Sequence, residues 1–196
     1  MKQLIVATRN VHKLREIGAM LSGRYRVLGL DDIGCSDDIP EDGDTFEANA
    51  AAKALWVRSR YGVDCIADDS GLEVDALGGA PGVHSARYAG TAHDDAANNA
   101  RLLRELQGVA DRSARFRTVL ALVRGDSDPL FFSGSIEGSI LETPRGDGGF
   151  GYDPLFRPDG WNCTFAEGTP EAKNAVSHRR RALDRLVEFL DTENRQ

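Results

Sequence analysis

Three things are scarce in this 196-residue chain. The first is length in its apolar runs. None reaches the ~18 residues that a membrane span requires, so membrane proteins of the helical kind are excluded. The second is cysteine. Cys35, Cys65 and Cys163 are odd in number and widely spaced. That excludes a disulfide framework and a zinc ribbon, and it suits a reducing cytoplasm. The third is positive charge. Lys and Arg number 24 against 31 Asp and Glu, a net charge of -7. Proteins that hold long nucleic acid rely on basic surfaces, so that class is excluded too. A polyphosphate ligand is not, provided that cations converge locally. The opening Met1-Lys2-Gln3-Leu4-Ile5-Val6-Ala7 runs straight into Thr8-Arg9-Asn10. It is too short for a signal peptide and reads as a first strand.

What is present is a full core. The chain is 41% hydrophobic, and one domain of this size hides roughly 70% of its unfolded surface. No linker, repeat or low-complexity tract divides it. Apolar patterning predicts strands over Gln3–Ala7, Arg24–Gly29, Val63–Ala67, Ala114–Arg124 and Pro129–Ile136, with a short one near Phe156. It predicts helices over Asn10–Leu21, Thr45–Tyr61, Ala96–Leu106 and a last one ending near Asp191. Strands alternating with helices, then a strand pair, point to an α/β fold with a mixed sheet.

Asp68-Asp69-Ser70 follows the apolar run Val63–Ala67. Adjacent carboxylates repel and need a counter-ion. A hard divalent cation, held by one or two carboxylates and by substrate phosphates, is the usual answer. The plain alternative is a strand closed by an Asx turn. Three helices share an anomaly that bears on this choice. Lys13 lies beside the stripe Leu14, Ile17, Leu21. Asn49 and Lys53 lie inside the stripe Phe46, Ala50, Val57. Lys173, Arg179 and Arg180 fall near the stripe of the last helix if that helix extends back past Val176. A cation rarely enters a core unpaired. Each taken alone reads as snorkelling from a stripe edge. Together they read as a cleft lined by cations and balanced by an anion.

Other segments carry two readings each. Thr8 or Asn10 caps the first helix, and the same turn, with Lys13, offers donors to a phosphate. Glu41 sits in an acidic loop before the second helix, either as a solvated cap or as the second carboxylate for a metal held by Asp69. Ser177 caps the last helix with His178 and Arg179 in its first turn, or these three line a site. Phe150, between Gly149 and Gly151, belongs to a glycine-rich hairpin or presents its ring to a base that the backbone approaches closely.

Several blocks resemble the inosine triphosphate pyrophosphatase family. They are Ala7–Lys13 with Glu16, Thr45-Phe46 with Asn49 and Lys53, Ala67–Val74, Gly78–Tyr88, Gly148–Pro154 and Ser177-His178-Arg179. The match is collinear from Leu4 to the last helix. The resemblance implies one catalytic domain over residues 1–196, an elongated mixed sheet flanked by helices, with two lobes around a central substrate cleft. It implies a homodimer, and the cysteine usage, charge and hydropathy above make it cytoplasmic with no long nucleic-acid or membrane partner. It implies Mg2+-dependent hydrolysis of non-standard purine triphosphates (ITP, dITP, XTP) to the monophosphate and pyrophosphate. Carried over by position, Asp69 is the catalytic group and a metal ligand, and Glu41 is the second ligand. Thr8, Asn10, Lys13 and Lys53 meet phosphate, and Ser70 lies close to the substrate. Phe150, Gly151, Tyr152, Asp153, Lys173, His178 and Arg179 are the nucleotide and base contacts. Arg179, or a backbone N–H near Gly151, would read the 6-oxo group. The chain departs from the family's habit at Arg9, His12, Ala48 and Arg180, and none of these removes a mapped ligand. A non-catalytic nucleotide sensor is the rival class, and the presence of Glu41, Asp68 and Asp69 disfavours it.

Overall fold

The computed structural model describes residues 2–90 and 93–193. Six strands form one sheet: β1 (Lys2–Val6), β2 (Tyr25–Leu28), β3 (Cys65–Val74), β4 (Ser113–Val123), β5 (Leu130–Ile140) and β6 (Phe156–Pro158). Their order is β2-β1-β3-β4-β5-β6. β1 runs parallel to both neighbours, with Ile5 opposite Leu28 and Val6 opposite Ile66. β6 runs antiparallel to β5, with Ile140 opposite Phe156. The sheet is therefore mixed, and the expected α/β class holds. Among the described residues five α-helices accompany it: α1 (Val11–Met20), α2 (Phe46–Tyr61), α3 (Asp95–Glu105), α4 (Pro170–Val176) and α5 (His178–Glu193).

The helix starts are written locally. Asn10 accepts hydrogen bonds from the N–H groups of His12 and Lys13, Thr45 from Ala48, Asp94 from Ala97 and Thr169 from Ala172. Each satisfies donors that a helix start otherwise leaves open. Pro170 adds a preset φ at the first position of α4. α2 stops at Gly62, whose φ of 67° only glycine adopts without strain.

Two elements differ from expectation. Asp68-Asp69-Ser70 does not end a strand; β3 continues through it to Val74. Leu72 and Val74 are fully buried, and their packing draws the backbone on past the carboxylates. The Asx-turn reading therefore fails. The predicted loop from Asp68 to Gly90 shrinks to two short 3-10 turns, Asp75–Leu77 and Gly82–Arg87, after β3. Lys173 stands on a helix of its own, α4, which Ser177 closes by donating its N–H to the Lys173 carbonyl.

The chain divides into two compact units. One comprises residues 1–69, 118–134 and 179–196, and the other 70–117 and 135–178. Each has its own core. In the first, Leu4, Val6, Ile17, Ile66, Leu120, Leu183 and Leu186 pack together. In the second, Leu72, Leu102, Leu106, Phe116, Leu155, Phe156 and Phe165 do so. Phe156 meets Phe116 edge-on at 4.7 Å and Phe165 at 5.4 Å between ring centres. Among the described residues no helix is long and apolar enough to cross a membrane.

Phe156 is fully buried, so Phe156→Ala should cost about 3–5 kcal/mol of stability. A urea titration measures this, and a loss below about 1 kcal/mol would contradict the assigned core.

Candidate active site

The site grows from the end of β1. That strand stops at Val6, opposite Ile66, and β3 runs on beyond it. Asp68 and Asp69 thus lie past the carboxyl end of β1, where ligands of open α/β sheets bind. α1 begins in the same place.

Asp68 is completely buried. Its Oδ1 takes the Lys13 ammonium, and its Oδ2 accepts from Arg179 Nε at 3.0 Å. Arg179, only 1% exposed, also pairs through Nη1 with Glu16. Burial opposes the Asp68 charge, but Lys13 and Arg179 outweigh it and hold the carboxyl well below the usual carboxylate range.

Asp69 sits in a second group. Its Oδ2 accepts from Asn49 Nδ2 at 3.2 Å, and its Oδ1 lies 3.3 Å from Lys53 Nζ. The same ammonium is 2.9 Å from Glu41 Oε1. Here burial prevails and raises the Asp69 carboxyl above its ordinary value, with Lys53 and Lys13 pulling against it. Burial works against the Lys53 charge, yet Asp69 and Glu41 overcome it and raise its pKa. The Glu41 loop is tied down by Asn49, whose Oδ1 accepts the Gly43 N–H at 2.8 Å. A side chain at Gly43 would come within 2.8 Å of that oxygen. The snorkelling reading is thus wrong for Lys53 and Arg179. Both are buried and ion-paired, as a buried cation requires.

In the second unit the glycine-rich segment folds around Asp153. Asp153 Oδ2 accepts the Phe150 N–H at 2.9 Å and the Lys173 ammonium at 2.5 Å. Lys173 Nζ also stands 4.7 Å from the centre of the Phe150 ring, a cation–π distance. Gly149 has φ 72°, and a Cβ there would fall 2.0 Å from Asp153 Oδ2, so no other residue fits. Tyr152 is buried and donates its hydroxyl to the Ser85 carbonyl at 2.8 Å. His178 is buried and stacks on Phe116 at 5.0 Å.

The sequence comparisons agree on one family. The Ham1 family model matches residues 4–189. The chain belongs to the Ham1 family. A relative from Porphyromonas gingivalis named dITP/XTP pyrophosphatase is 53% identical over 97% of this chain and 98% of its own. One of the same name from Geobacter sulfurreducens is 51% identical over 97% of each. The Staphylococcus aureus Ham1 protein superposes with a TM-score of 0.88 at 38% identity, covering 98% of this chain and all of the other. A HAM1 protein from Coxiella burnetii gives 0.88 at 40%, with the same coverage.

Within this Ham1 chain the structure gathers Lys13, Lys53, Arg179, Glu41 and Asp69 in the first unit, and Phe150, Gly151, Asp153 and Lys173 in the second. It redirects three expectations. Arg179 is spent on Asp68 and Glu16, so its guanidinium is not a free reader of a 6-oxo group. The Gly151 N–H donates to Asp95 Oδ2 at 2.7 Å, so it is not open to a base either. Tyr152 anchors the segment from inside the core. Asn10 acts as a helix cap, and Thr8 Oγ1 accepts the Asn10 N–H at 3.1 Å. The hub role of Asp68, its Glu16–Arg179 support and the Asn49 hydrogen bond were absent from the sequence reading of the site. The buried Asn49 and the Glu16 in the first motif were the available signals.

The first unit's donors suit a hard divalent cation. Glu41 and Asp69 face one cationic point, the Lys53 ammonium. Lys13, Lys53 and Arg179 pair with the four carboxylates Glu16, Glu41, Asp68 and Asp69. Among the described residues no three His, Cys, Asp or Glu side chains gather to cage a metal. Mg2+ characteristically takes one or two carboxylates and completes its shell with substrate phosphates and water.

Asp68→Asn should destabilise the protein by about 3–5 kcal/mol, because it leaves Lys13 and Arg179 facing a neutral group. The folded pKa of Asp68 is lowered, so its contribution is complete above the unfolded value of about 3.9. It is lost as pH falls toward the folded value. Denaturation at a series of pH values should show a constant gap between wild type and variant near neutrality and a shrinking gap in acid. A gap that widens in acid would overturn the assignment.

Proposed function

We propose that this protein is a Mg2+-dependent nucleoside triphosphate pyrophosphatase. It hydrolyses ITP, dITP and XTP to the monophosphate and pyrophosphate, and so removes non-standard purines from the nucleotide pool. The observation that carries the reading is the pair Glu41 and Asp69 facing one cation beside Lys13. The relatives' printed name, dITP/XTP pyrophosphatase, gives the substrate class. A homodimer in the cytoplasm fits the family resemblance and the three free cysteines.

In this reading Glu41 and Asp69 would hold Mg2+, which would supply Lewis-acid stabilisation of phosphate charge. Asp69 orients the attacking water and takes its proton. Asn49 fixes the Asp69 carboxylate through Oδ2. Lys13 and Lys53 meet charge that develops on the departing pyrophosphate. Asp68 holds Lys13 in place, and Arg179 and Glu16 hold Asp68. Thr8 and Asn10 shape the turn that delivers Lys13, and Ser70 follows Asp69 along β3. In the second unit the Phe150 ring meets the purine face, and Lys173, set by Asp153, offers its ammonium to the 6-oxo group. Adenine presents an amino donor there, and a site built around one hydrogen bond rejects the wrong group strongly. His178 backs this region by its stack on Phe116.

A panel of nucleoside triphosphates with Mg2+ tests the chemistry. ITP should give IMP and pyrophosphate and EDTA should stop the reaction, whereas a diphosphate with orthophosphate would place cleavage at the wrong bond. Asp69→Asn keeps the shape and loses the basic oxygen. Turnover should fall ~10²–10⁴-fold with folding intact, since Glu41 still pairs with Lys53. A variant that stays within tenfold of wild type removes Asp69 from the role.

A further inference from the structure

The Gly148–Asp153 segment is fastened to α3 at one residue from both sides. Asp95 Oδ2 accepts the Gly151 N–H at 2.7 Å, and Asn99 Nδ2 donates to the Gly151 carbonyl at 2.9 Å. The two side chains stand four apart on α3 and so share a face. They fix the two peptide groups that flank one α-carbon, whose φ is 62°. A Cβ built on Gly151 would meet nothing within 4 Å. This stretch of backbone is therefore held rigidly on one side and open on the other. The Asn99 amide can be oriented only one way, because its Nδ2 must meet a carbonyl acceptor. That leaves Asn99 Oδ1 buried with no hydrogen-bond partner among the described residues. A buried acceptor left without a donor is costly, so the position is kept for what Nδ2 does.

We propose that Asp95 and Asn99 are positioning residues for base selection: together they fix the Gly151 backbone so that the neighbouring Phe150 ring and Lys173 ammonium meet a purine at one height and angle. This rests on the base-reading role given above to Phe150 and Lys173. Phe150 is bonded to Gly151 and has its own N–H held by Asp153. With Gly151 released, the ring loses the anchor on the residue that follows it. Small displacements of a positioning element cost catalysis steeply. They cost most for the substrate whose hydrogen bond depends on the placement. Asp95 and Asn99 touch no substrate in this scheme and act through Gly151 alone.

The test compares kcat/KM for ITP and ATP in Asp95→Ala, Asp95→Asn, Asn99→Ala and Lys173→Ala. Asp95 is exposed on the first turn of α3, so its variants should fold, and near-ultraviolet circular dichroism checks that they do. Asp95→Ala and Asn99→Ala should each narrow the ITP:ATP ratio ~10–100-fold. Asp95→Asn, whose amide oxygen still accepts the Gly151 N–H, should keep most of the ratio. Should Asp95→Ala and Asn99→Ala lower both substrates alike while Lys173→Ala collapses the ratio, the positioning role falls and the base-reading role stands. A ratio unmoved by Lys173→Ala as well removes the base-reading role and the positioning role with it.

Discussion

One buried carboxylate organises the first unit. Asp68 has no exposed surface, and taking a charge out of water costs several kcal/mol unless partners replace the water. The partners come from α1, as Lys13, and from α5, as Arg179. These helices lie far apart along the chain and converge on one residue of β3. Glu16 then balances the second face of Arg179. Two helices and a strand are thereby locked in one mutual register, because sliding any of them strands a buried charge. The apolar core of this unit supplies the stability, and the ion cluster specifies the arrangement.

The chain has only four lysines. Lys13, Lys53 and Lys173 are three of them, and each is paired to a carboxylate through its ammonium. Lys2 and the arginines carry the remaining positive charge, largely at the surface. The division follows the side chains' chemistry. A compact ammonium with three freely rotating donors can exchange one acceptor for another as a phosphate arrives, whereas a guanidinium held at Nε and Nη1 is a fixed brace. Arg179 is such a brace, held between Asp68 and Glu16.

Much of this was legible beforehand, and for physical reasons. Apolar periods located the helices, and Thr8 or Asn10 marked where the first of them begins. Cations inside apolar stripes pointed to a cleft balanced by negative charge, and for Lys53 that charge is carried by Asp69 and Glu41. What could not be read was which carboxylate each cation meets. That depends on contacts such as Arg179 with Asp68, 111 positions apart. The length of β3 was missed because its acidic pair looks like a strand end, and only long-range partners let the strand pass through. Asp95 and Asn99 were invisible for the same reason. A polar pair four apart on a helix is ordinary until the Gly151 backbone is seen against it.

The neighbouring carboxylates show why two acids stand side by side. Successive residues of a strand point to opposite faces, so Asp68 and Asp69 inhabit different surroundings despite sharing a peptide bond. On one face two cations depress the pKa of Asp68 and keep it ionised. A carboxylate so stabilised is a poor base, and its capacity is taken up by Lys13 and Arg179. On the other face Asp69 meets one shared ammonium and the amide of Asn49, and burial raises its pKa. Environments that push two like groups apart in this way separate their tasks. Asp68 is held between Lys13 and Arg179, and Asp69 between Lys53 and Asn49. The order of the two residues along β3 therefore decides which carboxylate joins which cluster, and exchanging them would require turning the strand over.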